Sequence, residues 1–160
     1  LSMAESGFRA TVFVQLSCGL GVLTGGRLAD KLSRRIAPAR YYIAASGILL
    51  SAPFGYLTFA AQSLSVTTAF SIAYGLASGL MIANVFAAAY DVIGPKNFGL
   101  ASGVLNMIGG IAASILIFLA GVLKSTIGFS GLLLYVGAGC ILAASALAFT
   151  ARSRFAREMA

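Results

Sequence analysis

Gly26-Arg27-Leu28-Ala29-Asp30-Lys31-Leu32-Ser33-Arg34-Arg35 closes one long apolar stretch and precedes another. Five charged side chains fall in these ten positions, in a chain of 160 residues that is only 9% charged. Soluble domains carry roughly 25% charged residues. On either side the sequence is 59% hydrophobic overall, with a mean hydropathy of +0.96. A water-exposed surface cannot be built from such a composition, so the natural solvent of the flanking stretches is lipid. The charged decapeptide then reads as the place where the chain leaves the bilayer and turns back.

Five segments are long enough to span the hydrocarbon core, at about 10–28, 41–61, 66–90, 98–123 and 131–151, since about 20 residues at 1.5 Å rise cross ~30 Å. The short connections carry turn punctuation at Pro38, Gly94-Pro95 and Gly128. Backbone polar groups in lipid need internal partners, and no alternating strand pattern is present. Helices are therefore the expected spans. Pro53 falls inside the second, where a kink is tolerated if neighbours satisfy the freed carbonyl. The expected fold is an all-α membrane protein, one bundle of about five transmembrane helices over residues 1–160.

The net charge of +7, from 11 basic and 4 acidic residues, would suggest nucleic acid in a soluble domain. Here the cations punctuate the spans instead, and no nucleic-acid partner is expected. Arg27, Lys31, Arg34, Arg35 and Arg40 lie in the first connection, Lys96 in the third, and Arg152, Arg154 and Arg157 in the tail. Only Arg9 and Lys124 fall at the other side. Positive loops resist translocation, so this one-sidedness puts the first connection and the C-terminus in the cytoplasm, with a cell (inner) membrane the expected location. Cys18 and Cys140 both lie in apolar segments and predict no disulfide. Leu1-Ser2-Met3 opens with no basic leader and no cleavage site, as expected of a piece of a longer protein.

The decapeptide resembles the signature loop of the major facilitator superfamily, G-x-L-A-D-[RK]-x-G-[RK]-[RK], with Ser33 where the family usually has its second glycine. A generic basic loop explains the arginines but not an aspartate four residues after a glycine. The resemblance implies a gating role for Gly26, Asp30, Arg34 and Arg35, latching the cytoplasmic side, and the absent glycine questions the tightness of the turn at 33. Tyr90-Asp91-Val92-Ile93-Gly94-Pro95-Lys96, followed by Gly99-Leu100-Ala101-Ser102-Gly103 and Asn106, is similar to the loop between the superfamily's tenth and eleventh helices. Two spans separate the motifs, so the chain is expected to cover helices eight to twelve, about half of the carrier fold. Helices two to six of the first half are the other placement. The wording of both loops resembles the organic-anion and spinster-type branches.

Gly21 with Gly25, Gly75 with Gly79, and Gly99 with Gly103 each form G-x-x-x-G, which lets helix backbones approach closely. Polar side chains inside the spans are few, and in hydrocarbon they face the bundle or a watery cavity. Gln15, Tyr74, Asn84 and Asn106 are the substrate-cavity candidates on that ground. Asn106 shares a helix face with Gly99 and Gly103.

Enzyme readings find no support in a chain with no histidine, no metal-ligand spacing, no nucleophile with its base and no phosphate-cradling loop. No cofactor and no metal are expected. What the resemblance implies is transmembrane transport of a small organic solute by alternating access, this chain being one half and the missing half a required partner. No ionisable group lies at mid-membrane depth, so coupling to a proton or sodium ion as in a symporter would reside in the other half, or the carrier would be a uniporter. A non-transporting assembly subunit or channel-like bundle is the alternative.

Overall fold

The computed structural model of the chain describes residues 3–158. It is built from α1 (Met3–Ser33), α2 (Ala39–Ala60), α3 (Leu64–Tyr90), a 3-10 turn at Pro95–Asn97 and α4 (Phe98–Glu158). Gly128 breaks α4 into two limbs, with φ 70° and ψ 171°. That backbone region is essentially closed to residues with a Cβ, so one glycine replaces a loop between the fourth and fifth spans. Five helical stretches are long and apolar enough to cross a membrane: Gly7–Ser33, Ala39–Ala60, Leu64–Tyr90, Pro95–Leu123 and Gly131–Ser153. The decapeptide is mostly helix rather than loop, because α1 runs to Ser33 before turning. No residue there adopts a positive φ, so Ser33 is accommodated where a glycine was expected.

Local chemistry sets the ends. Arg35 and Ile36 N–H both donate to Leu32 O, at 2.9 and 2.8 Å, closing α1 with one more turn, and Pro38 stands at the N-cap of α2. Ser63 caps α3 by accepting from Val66 N–H, and Pro95 starts the 3-10 turn where its missing N–H costs nothing. Helix α2 continues through Pro53, which is exposed.

Helix α3 lies between α1 and α2, and α2 packs in turn on the second limb of α4. The contacts are made by small side chains. Ala45 and Ile48 of α2 meet Ala144, while Tyr41 meets Ala88 and Ala151. Large apolar residues such as Ile117, Leu142 and Phe149 point outward, the arrangement suited to lipid, where close backbone packing rather than burial of bulky side chains holds helices together. Several hydroxyls inside the spans bond within their own helices, as where Ser17 Oγ donates to Phe13 O at 2.6 Å, while Ser33 Oγ is buried without a hydrogen-bond partner among the described residues. The first limb of α4 differs from the rest: its most apolar window has no buried residue.

Candidate functional site

The end of the bundle that carries the decapeptide is held by one guanidinium. Arg40, in the first turn of α2, donates through Nη2 to Asp30 Oδ1 at 3.1 Å and through Nη1 to Asp91 Oδ1 at 2.6 Å. Asp30 lies in the last turn of α1 and Asp91 is the C-cap of α3. Each carboxylate therefore sits at the negative end of a helix dipole, where it is disfavoured, and Arg40 offsets both. Arg40 itself occupies a helix N-terminus, a poor place for a cation unless anions surround it. The three unfavourable placements resolve one another. Two separate nitrogens in a fixed plane reach two separate carboxylates, a geometry a lysine cannot reproduce.

Below this triad, α1 and α3 cross in close contact. A Cβ on Gly21 would run into the Leu76 carbonyl and the Cα of Gly79, and one on Gly79 into the Cys18 carbonyl and the Cα of Gly21. Gly25 faces Leu80 and Asn84, and Gly75 faces Ser17 and Val14. Gly47 adds an approach of α2 to α3, where a Cβ would lie 2.7 Å from Met81 N. Asn84 is fully buried in the crossing; its Nδ2 donates to Leu80 O at 2.8 Å and to Gly25 O on α1 at 3.4 Å. At the same end Tyr90 fastens the start of α4, through a hydroxyl hydrogen bond with Ser102 and ring packing on Phe98 at 4.7 Å between centroids.

The opposite end is open. A cavity of about 520 Å³ lies between the start of α1, the second half of α2, the first half of α3 and the start of the second limb of α4. Thr67, Ser71 and Tyr74 line it from α3, Ser51 and Thr58 from α2, and Arg9 from α1. This volume falls in the range of small-molecule pockets, roughly 300–1,000 Å³.

The residues singled out from sequence are thus distributed over several environments. Tyr74 lines the cavity. Asn84 spends both its described contacts on backbone carbonyls at the α1–α3 crossing. Gln15 is exposed on α1 and Asn106 on the first limb of α4. Gly99 and Gly103 meet nothing within 4 Å. Asp30 takes its partner from α2, while Arg34 and Arg35 are exposed and make no ion pair among the described residues. Gly26 is half-exposed and its Cβ position is open. The side chains of Lys124, Arg154 and Arg157, used in reading the orientation, lie outside the described residues.

Arg40 carries the site, and sequence reading treated it as one of several loop cations. No sequence signal distinguishes it from Arg34 or Arg35. The hydroxyl stripe of the cavity was readable, since Thr67, Ser71 and Tyr74 recur at i, i+4 and i+7 on α3, and Ser51 and Thr58 recur at i and i+7 on α2.

Five apolar helices, packed through small residues and joined at one end by a buttressed charge triad, define an integral, multi-pass membrane protein. The family model of the Major Facilitator Superfamily matches residues 1–158. The chain belongs to that superfamily, whose members move solutes across membranes. No curated protein and no solved structure shows a match to it.

Proposed function

We propose that this chain is one half of a carrier that moves a small organic solute by alternating access, with the Asp30–Arg40–Asp91 triad fixing the cytoplasmic ends of its helices. The single observation that carries this reading is Arg40 joining the two motif loops, Gly26–Arg35 and the stretch around Asp91, across α2. A carrier half has to move as a unit, and a tie between the ends of α1, α2 and α3 serves that need. In this reading the helices correspond to eight to twelve of the superfamily. Helices α1, α3 and the first limb of α4 face the solute path, while α2 and the second limb of α4 support them. The first limb, whose most apolar window has no buried residue, fits a helix whose partners lie in the rest of the carrier. Gly26, Arg34 and Arg35 remain gate candidates beside Asp30, and Gln15, Tyr74 and Asn106 remain solute-contact candidates. The organic-anion or spinster-type branch is the narrower assignment.

The transport mode is tested by counterflow. Proteoliposomes with the complete carrier are loaded with a panel of unlabelled organic acids and neutral metabolites, then given a trace of the labelled compound outside. A carrier accumulates label transiently against its gradient, with saturation. Uptake that never exceeds equilibration would indicate a channel-like bundle, and a full panel with no movement an assembly subunit. Repeating the assay with imposed proton and sodium gradients distinguishes a symporter from a uniporter.

A further inference from the structure

The capture of both Asp30 and Asp91 by Arg40 leaves Arg27, Lys31 and Arg34 without an ion pair among the described residues. They are not scattered. Leu16, Leu20, Leu23, Arg27, Lys31 and Arg34 follow one another at spacings of four, three, four, four and three, so at about 100° per residue they fall within an arc of roughly 80°. That arc lies opposite Gly21, Gly25 and Ala29, the positions pressed against α3 or buried. Arg34 follows the last helical residue, but the Leu32 carbonyl accepts from both Arg35 and Ile36 N–H, which keeps the turn in helical register. All six side chains are exposed, with Leu16 at 67% and Leu20 and Leu23 each at 58%.

Depth separates the stripe into two parts. The 27 residues from Gly7 to Ser33 extend roughly 40 Å, about 10 Å more than the hydrocarbon core. The leucines therefore lie at acyl-chain depth and the last turns, with Arg27, Lys31 and Arg34, in the headgroup layer. We propose that this stripe binds an anionic phospholipid of the leaflet at the Arg40 end. Its phosphate is held among Arg27, Lys31 and Arg34, and one acyl chain runs along Leu23, Leu20 and Leu16. The triad is what makes the surface: with Asp30 and Asp91 both turned to Arg40, the cations keep their charge for a phosphate. This inference rests on the membrane span and on the stripe facing lipid in the complete protein, and it gives Arg34 to the phosphate in place of the gate role proposed above.

The test uses the complete carrier in nanodiscs of phosphatidylcholine, with or without phosphatidylglycerol, and counts retained phosphatidylglycerol by native mass spectrometry. The triple variant Arg27→Gln/Lys31→Gln/Arg34→Gln should lose affinity by about 100-fold. Arg27→Lys, which keeps the charge, should bind as the unaltered protein does and guards against a folding defect. Lys96→Gln/Arg152→Gln, which removes charge at the same end but off the stripe, should bind normally. Phosphatidylglycerol carrying a photoreactive acyl group should label the Leu20 region, and soluble glycerophosphate should not compete. Equal loss in the Lys96/Arg152 variant, unchanged binding in the triple variant, or full competition by glycerophosphate would overturn the proposal. So would crosslinking of a cysteine at Leu20 to another protein segment in place of lipid, which would mean that a helix of the carrier covers the stripe.

Discussion

Arg40 and Asp91 are 51 residues apart in sequence and meet at 2.6 Å, which fixes the start of α2 to the end of α3. With Asp30 on the other nitrogen, three helix ends share one cation. The stability of exposed pairs of this kind is modest, about 0–1 kcal/mol each, and Asp30 is 70% exposed. The value of the triad therefore lies in position more than in energy.

Replacing Arg40 with lysine separates these two contributions. The charge remains, but one ammonium cannot span two carboxylates with the geometry of a planar fork. Arg40→Lys should shift the thermal midpoint of the purified carrier only slightly, corresponding to less than about 1 kcal/mol. Its transport rate should fall several-fold, and the double variant Asp30→Asn/Asp91→Asn should fall no further when Arg40 is already lysine. Independent, additive losses would show that the two carboxylates do not act through Arg40.

The α1–α3 crossing predicts unequal costs for equal substitutions. Gly79→Ala forces a methyl against the Cys18 carbonyl and Gly21, both backbone, and should destabilise by about 1–3 kcal/mol. Gly103→Ala adds its methyl to open space and should be neutral in this 160-residue chain. Thermal denaturation in detergent measures both. A marked loss from Gly103→Ala in the complete carrier alone would reveal a further helix against the first limb of α4.

Asn84 has its amide committed to the Leu80 and Gly25 carbonyls. Interhelical hydrogen bonds in membranes contribute about 0.6 kcal/mol on average and rarely above 2. Asn84→Leu, which keeps the number and branching of side-chain heavy atoms, should lower stability by about 1 kcal/mol and leave solute affinity unchanged. Loss of solute binding with an unaltered thermal midpoint would return Asn84 to the solute path.

The difference between what sequence reveals and what it hides follows from range. The five spans were legible because lipid imposes length and composition on each segment separately, and the decapeptide was legible because its charges interrupt that composition. Choosing Arg40 over Arg34 or Arg35 as the partner of Asp30 depends on where the N-terminus of α2 comes to rest, which no local pattern encodes. The same limit applies to glycines. The pairs at 21 and 25 and at 75 and 79 announce close packing, but not that they meet each other, and the pair at 99 and 103 has the same spacing with no neighbour within 4 Å. Gly128 marks a turn in the sequence, and in the structure this single residue of positive φ takes the place of a loop.

Orientation rests on the charge asymmetry, and it makes a direct prediction. Arg35 and Lys96 are both exposed at the Arg40 end. Cysteines placed there, in protein freed of Cys18 and Cys140, should resist an impermeant thiol reagent in intact cells and react once the membrane is opened. Reaction in intact cells at either position would invert the topology.

Asp30→Asn tests the proposed gating role. The substitution keeps the size of the side chain and removes its charge, so Arg40 retains Asp91 and loses half of its anionic surroundings. Relief of the carboxylate from the negative end of α1 offsets part of the lost pairing, each effect being below about 1 kcal/mol. Insertion and thermal stability should therefore stay close to those of the unaltered carrier. What changes is the relative placement of the ends of α1 and α2, and with it the balance between states open to either side of the membrane. If contacts at this end are made in only one of those states, their loss shifts the equilibrium by their difference, on the order of 1–3 kcal/mol. Turnover should then fall roughly 10-fold or more while solute affinity remains within a few-fold. Single-turnover counterflow and equilibrium binding, measured on the same preparation, separate the two. Normal turnover, or a defect that disappears once expression is corrected for, would leave Asp30 a residue of helix-end structure with no part in gating.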